Sequence, residues 1–287
     1  MNPDTFQWKT ESISMSNNIF DFIKYYNLDI KKRYGQNFLI DNNIIRKIID
    51  AVDVKNDDVI IEIGPGLGAL TQFLFDAKKV IAIEIDNDLV KVLRERFAMR
   101  KNFELINADV LKLDLSELLR PFSNIKIVSN LPYYISSAVL TKCLELKNLD
   151  SMTVMLQKEV GQRIFAKPST KSYGSLSILS QYYSDLNIIT NVSANCFVPK
   201  PNVESVVIKF IMKNIDKYED EKFLFELVRK SFSKRRKTLV NCLENFYGIS
   251  KQKITDVLIQ NDMDKNIRAE ALTLKDFLNL ADCIKKN

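Results

Sequence analysis

Val59-Ile60-Ile61-Glu62-Ile63-Gly64-Pro65-Gly66-Leu67-Gly68 is an apolar run, rich in β-branched residues, that ends in three glycines spaced by single residues. A short, near-continuous apolar run of this kind suits a strand buried on both faces. The glycines permit the positive φ angles of a tight turn and let a ligand approach the backbone. The stretch reads as strand, glycine turn and then helix, the helix over residues 69–75.

Working outward, the same pattern recurs. Strand candidates fall at 80–85, 103–106, 125–129 and 152–156, and two more at 188–192 and 205–211. Helical patterns lie at 42–52, 88–98, 115–119, 137–146, 158–165 and 175–183, with Asp41 as N-cap of the first. Strands alternating with helices predict an α/β fold, a doubly wound and mostly parallel seven-stranded Rossmann-like sheet. The ligand crevice of such a sheet lies at the carboxyl ends of its strands. Gly64, Glu84, Asp109 and Asn130 stand at or just past the ends of successive strands.

The glycine spacing narrows the ligand. A dinucleotide fingerprint is G-x-G-x-x-G with an acid about 20 residues on. Here the spacing is G-x-G-x-G, so the pyrophosphate signature is not met. Glu84 can still accept hydrogen bonds from two ribose hydroxyls, and Asp109 from the amine of an adenine ring. Adenosine without a pyrophosphate fits S-adenosylmethionine better than NAD. Taken alone, Glu84 is also compatible with an exposed strand-end acid and Asp109 with a helix N-cap.

Asn130-Leu131-Pro132-Tyr133 is the most specific string in the chain. The exocyclic amine of adenine is a poor nucleophile because its lone pair is delocalised into the ring. The Asn130 side-chain oxygen and the Leu131 carbonyl can accept its two N–H groups and free that lone pair. Pro132 fixes the local backbone, and Tyr133 offers a face for an extruded base. Phe197, held by Pro199 and Pro201, is the candidate for a second stacking surface, with a core position as its alternative. Tyr134 reads equally as a core residue.

Bulk composition excludes several classes. The chain of 287 residues has 46% hydrophobic and 27% charged residues, a globular balance. It has no histidine, which removes Ser-His-Asp and Cys-His catalysis and most zinc sites; no metal is expected. The 4 cysteines are scattered and read as reduced thiols. No apolar run approaches the ~20 residues of a membrane span, and the polar N-terminus lacks a signal-peptide pattern. A cytoplasmic monomer is expected. Residues 221–287 carry 14 basic and 9 acidic side chains, whereas the rest of the chain carries 28 and 27. That asymmetry suits a polyanion partner or a solvated helix face. The expected division is a flexible tail at 1–17, a methyl-donor-binding domain at 18–213, a linker at 214–221 and a smaller all-helical, basic domain at 222–287.

With these residues in place the chain resembles the bacterial small-subunit (16S) ribosomal RNA adenine dimethyltransferases, the KsgA (RsmA) family, related to the Erm large-subunit enzymes. The resemblance runs from about Lys31 to Ala281. It rests on Gly35-Gln36-Asn37-Phe38-Leu39, Glu62-Ile63-Gly64-Pro65-Gly66-Leu67-Gly68, Asn130-Leu131-Pro132-Tyr133, Met155-Leu156-Gln157-Lys158-Glu159-Val160, Tyr173-Gly174-Ser175-Leu176-Ser177, Phe197-Val198-Pro199-Lys200-Pro201 and Arg235-Arg236-Lys237-Thr238-Leu239. Tyr134 departs from it, standing where the family commonly has asparagine. The resemblance implies a class I methyltransferase that transfers methyl groups to two adjacent adenines in the 3′-terminal hairpin loop of small-subunit RNA, within pre-30S particles. It assigns Asn37, Leu39, Gly64, Glu84, Asp109 and Asn130 to the methyl donor, and places Asn130 and Tyr133 in the catalytic motif. On a helix over residues 222–243, Lys230, Lys234 and Lys237 share one face, with Arg235 and Arg236 beside them, as an RNA-contacting stripe. The alternatives are an Erm-like large-subunit enzyme and an assembly factor that acts mainly by binding.

Overall fold

The computed structural model describes residues 36–214 and 218–286, together with Ile23, Tyr26 and Leu28. The tail at 1–17, residues 18–35 other than Ile23, Tyr26 and Leu28, and residues 215–217 of the expected linker lie outside the described residues.

Seven strands form one sheet in the order β4-β3-β2-β5-β6-β9-β7. They are β2 (Val59–Ile63), β3 (Lys79–Glu84), β4 (Phe103–Asn107), β5 (Ile125–Asn130), β6 (Leu149–Gln157), β7 (Ser184–Val192) and β9 (Ser205–Met212). The short strands β1 (Phe38–Leu39) and β8 (Phe197–Val198) pair antiparallel with each other. β2 pairs parallel with both β3 and β5, setting Ile61 beside Ile81 on one side and Ile127 on the other. All five residues of β2 are buried, as a strand covered on both faces requires. The order reverses at β2 and β5, so the crevice at their carboxyl ends is the topological switch point.

Local chemistry sets the helices. In α1 (Asn42–Val52) the carboxylate of Asp41 accepts the N–H groups of Asn43 and Ile44, and the helix ends where Asp53 turns left-handed at φ 55. Its Ile44, Ile45, Ile48 and Val52 are buried. Each such aliphatic side chain contributes roughly 1.5–3 kcal/mol when fully buried. Asp86 caps α2 (Asn87–Arg96), and Asp114 caps α3 (Leu115–Leu119). Further helices are α4 (Ser136–Leu144), α5 (Lys158–Ile164), α6 (Ser175–Tyr183), α7 (Glu221–Ser231), α8 (Leu239–Leu243), α9 (Lys251–Gln260) and α10 (Leu274–Lys286). Among the described residues no helix is long and apolar enough to cross a membrane.

The chain divides into two compact units. One takes the described residues up to Val139 with Leu146–Gln157 and Ile188–Lys209; the other takes Leu140–Glu145, Lys158–Asn187 and the residues from Phe210 onward.

Two expected helices differ in the structure. Residues 69–75 form turns around a single 3-10 turn, Thr71–Phe73. Gly68 at φ 82 cannot belong to a helix, and i→i+3 bonds follow it: Phe73 N–H to Leu70 O and Leu74 N–H to Thr71 O. The second is the basic helix, which is broken between α7 and α8. The hydroxyls of Ser231 and Ser233 bond to the carbonyls of Leu227 and Lys230, drawing acceptors away from a continuing ladder. Four successive cations, Lys234 to Lys237, follow, and Thr238 opens a new helix as N-cap. Lys230 therefore lies in the last turn of α7, while Lys234, Arg235, Arg236 and Lys237 lie on the connecting turn.

Candidate active site

A cavity of about 310 Å³ opens at the carboxyl ends of β2, β3 and β5. Asn37, Leu39, Gly64, Glu84, Asp109, Asn130 and Tyr133 all line it. Seven of the residues expected to form the site, from five separate stretches, therefore share one wall. Phe197 does not line it. Its side chain is 2% exposed and packs in the core with Leu39, Ile45 and Val207, because β8 is zipped onto β1.

The glycine turn is the floor. Gly64, Gly66 and Gly68 have φ of 67, 62 and 82. A Cβ on Gly68 would stand 2.7 Å from the Phe97 ring, so any side chain there must displace that ring. The turn is tied to the strand ends by Glu84, whose Oε2 accepts Gly66 N–H at 3.2 Å while Oε1 accepts Asp86 N–H at 2.9 Å. Burial pushes the Glu84 carboxyl up to about 7, against the backbone bonds that favour its ionised form. Glu62, also on the wall, is more deeply buried and is pushed up to about 8 by burial, with the Thr71 hydroxyl donating to it at 2.6 Å.

Asp109 accepts Leu111 N–H on Oδ1 at 3.0 Å, so it caps its own turn and also faces the cavity. Ile85, next to Glu84, is 38% exposed, a large aliphatic surface left open within a polar rim. These features fit an adenosine-type ligand: strand-end acids for hydroxyls and amine, an aliphatic face for a ring, and bare backbone where a chain must pass close.

The second stretch meets the first directly. Ser129 donates its hydroxyl to Ile63 O at 2.5 Å, which pins β5 to β2 one residue before the glycine turn. Asn130 donates Nδ2 to the main-chain carbonyl of Asn37 at 3.0 Å. With its nitrogen committed, the amide presents its oxygen as an acceptor. Leu131 N–H bonds to Met155 O at 3.0 Å, and its carbonyl has no donor among the described residues. Tyr133, half-buried, shares a hydrogen bond with Ser205 at 2.8 Å, hydroxyl to hydroxyl. Burial raises the Tyr133 phenol above its ordinary value, so it stays neutral. Tyr134 lines the cavity and is 57% exposed, a wall residue rather than a core one.

Sequence reasoning missed Glu62, Ile85, Arg96 and Ser205. Arg96 of α2 donates to Leu67 O and, at 3.0 Å, to Gln72 Oε1. It clamps a turn that has no helix to hold it. Glu62 carried a signal, being an acid inside an otherwise apolar strand. Ser205 carried none, since its partner lies 72 residues away.

The five cationic residues expected to meet RNA, Lys230, Lys234, Arg235, Arg236 and Lys237, are all exposed. Four of them lie on the turn between α7 and α8 and Lys230 on the last turn of α7, so no single helical face carries all five.

A parallel sheet with its cavity at the β2/β5 switch point, floored by a glycine turn, defines a Rossmann-like class I methyltransferase. Comparison with known proteins narrows the class. The family model for ribosomal RNA adenine dimethylase matches residues 27–286. A ribosomal RNA small subunit methyltransferase A of Clostridium botulinum (strain Kyoto / Type A2) is 41% identical over 271 residues, covering 93% of this chain and 98% of that protein. The protein of the same name from Lactococcus lactis subsp. lactis (strain IL1403) is 42% identical over 273 residues, covering 92% of this chain and 93% of that one. Among solved structures, a dimethyladenosine transferase from Plasmodium falciparum superposes with a TM-score of 0.72 at 29% identity, over 85% of this chain and 95% of that one. The 23S rRNA methyltransferase ErmE shares the fold, with a TM-score of 0.62 at 24% identity over 87% of this chain and 100% of that one. The chain belongs to the ribosomal RNA adenine dimethylase family, whose members are S-adenosylmethionine-dependent enzymes.

Proposed function

We propose that the protein dimethylates the exocyclic amines of two adjacent adenines in the 3′-terminal hairpin loop of small-subunit ribosomal RNA, during assembly of that subunit in the cytoplasm. The observation that carries this reading is the Asn130 amide on the cavity wall, whose nitrogen is engaged by the Asn37 carbonyl so that its oxygen is left as the acceptor.

S-adenosylmethionine, when bound, supplies an electrophilic sulfonium methyl. Gly64, Glu84 and Asp109 hold its polar groups, with Asn37 and Leu39 closing the wall. Asn130 Oδ1 and the Leu131 carbonyl accept the two N–H groups of the target amine. They draw its nitrogen toward tetrahedral geometry and direct its lone pair into the cavity. Tyr133 stacks on the extruded base, and Ser205 sets the angle of its ring. Holding amine and methyl in line lowers the barrier by on the order of 7–11 kcal/mol. Unstacking the base costs a few kcal/mol, less from a loop than from a duplex. No strong base is needed, because the amine becomes acidic only after it has gained the methyl and then loses its proton to water. Lys230, Lys234, Arg236 and Lys237 supply cations for the RNA backbone.

The relatives named for the small subunit support that substrate over the large-subunit alternative. The test offers labelled S-adenosylmethionine to small subunits lacking the modification and, separately, to large subunits. Label in two adjacent adenines of the small-subunit RNA is expected; label confined to the large subunit would overturn the reading. An Asn130→Ala variant that abolishes methylation yet supports assembly would assign the cellular role to binding.

A further inference from the structure

Arg235 turns its guanidinium back onto the protein. Its Nη2 donates to the carbonyl of Lys171 at 2.5 Å, and the same nitrogen lies 3.7 Å from Glu270 Oε2. The main-chain carbonyl of Glu270 in turn accepts Ser169 N–H at 2.6 Å. Tyr173, buried, donates its hydroxyl to Leu272 O at 2.8 Å. The loop between α5 and α6 is thereby fastened at three points. Ser169 sits at φ 64, a left-handed conformation that a non-glycine residue holds only where its surroundings enforce it.

This held loop is exposed and basic. Lys167 and Lys171 both face solvent, and neither is paired with an acid among the described residues. Fixing the Lys171 main chain on Arg235 brings it to the turn that carries Lys234, Arg236 and Lys237, all exposed. Exposed loops are ordinarily mobile. One held in a strained conformation while displaying unpaired cations is pre-organised for a polyanion, because little ordering cost remains on binding.

We propose that the α5–α6 loop is a second element of the RNA-contacting surface, with Lys167 and Lys171 on the sugar–phosphate backbone, and that Arg235 is a positioning residue that braces the loop rather than a phosphate ligand. The proposal rests on the small-subunit RNA reading above. It divides the basic turn in two: Arg236 and the lysines face outward, and Arg235 acts through the loop.

The test measures the affinity of the full-length protein for small ribosomal subunits lacking the methyl marks, as a function of salt, with S-adenosylmethionine affinity and melting temperature as controls. The double variant Lys167→Gln/Lys171→Gln is expected to bind about 5–30-fold more weakly. Its log–log salt slope is expected to be shallower by about 1.4–1.8, at about 0.7–0.9 for each phosphate no longer neutralised. Donor affinity and melting temperature stay unchanged. Arg235→Lys keeps the charge and loses the fork, so it weakens binding in the wild-type background and adds less than about twofold to the lysine variant, since coupled sites are non-additive. Wild-type affinity and slope in the double variant would overturn the proposal, as would an Arg235→Lys variant indistinguishable from wild type. Failure of the unmodified wild-type protein to bind small subunits would instead strike the functional reading.

Discussion

Asn130 and Asn37, 93 residues apart, are joined by one hydrogen bond from a side-chain amide to a main-chain carbonyl. That bond commits the Asn130 amide nitrogen and leaves its oxygen as the acceptor. Asn130→Asp removes the donor while keeping an acceptor of nearly the same shape. The carboxylate has nothing to give Asn37 and is free to rotate. Methyl transfer by Asn130→Asp is expected to fall about 100-fold, the scale of a misplaced reacting group, with RNA affinity unchanged. Single-turnover rates set beside binding isotherms check this; an active Asn130→Asp enzyme would show that the tether is unnecessary.

Donor affinity is expected to depend on pH through Glu84. Its carboxyl stands at about 7 in the folded protein against an ordinary 4.5, because burial disfavours the charge. The folded state therefore holds a proton that the unfolded chain has lost. Stability without ligand falls as pH rises from about 4.5 through about 7. A ligand that donates hydroxyls to this carboxylate prefers it ionised. S-adenosylhomocysteine is expected to bind more tightly at pH 8 than at pH 6 and to release a proton near neutrality. Calorimetry in buffers of different ionisation enthalpy measures both, and a Glu84→Gln variant should lose the pH dependence.

Gly68 and Phe97 share one space. A methyl on Gly68 would meet the ring at 2.7 Å, on a residue at φ 82. Left-handed strain of about 1–2 kcal/mol and overpacking of about 1–3 kcal/mol predict a Gly68→Ala cost of about 2–5 kcal/mol. Denaturant unfolding reads it directly. Adding Phe97→Leu to Gly68→Ala should recover the packing part and leave the strain.

Tyr133 and Ser205 form a hydroxyl pair in which either oxygen can donate. If the pair serves only to set the ring, Tyr133→Phe and Ser205→Ala each lower kcat modestly, by up to about tenfold. The double variant should then lose no more than the worse single one, as expected of residues that act as a unit. Additive losses would mean that the phenol oxygen has work of its own.

The sheet was legible in the sequence because buried parallel strands announce themselves locally. The expected strands 59–63, 125–129 and 205–211 match β2, β5 and β9 to within a residue. The strand-end residues were legible for the same reason: once the strands are placed, topology alone brings Gly64, Glu84, Asp109 and Asn130 to one edge. Helical periodicity misled where something else governed the backbone. Residues 69–75 have helical spacing, yet Gly68 enters them left-handed and Arg96 holds the Leu67 carbonyl from outside. Residues 222–243 read as one helix, yet serine hydroxyls and four adjacent cations end it at Ser231.

By itself, then, the sequence determined the fold class and the convergence of Gly64, Glu84, Asp109 and the Asn130–Tyr133 string on one cavity, since these follow from residue type and period. Only the tertiary structure decided that Asn130 is oriented by Asn37, that Tyr133 is aimed by Ser205, that Phe197 is a core residue, and that Arg235 braces a loop. Each of these is a contact between residues distant in the chain. Which partner a side chain finds there depends on how separate segments pack, and no local pattern encodes that.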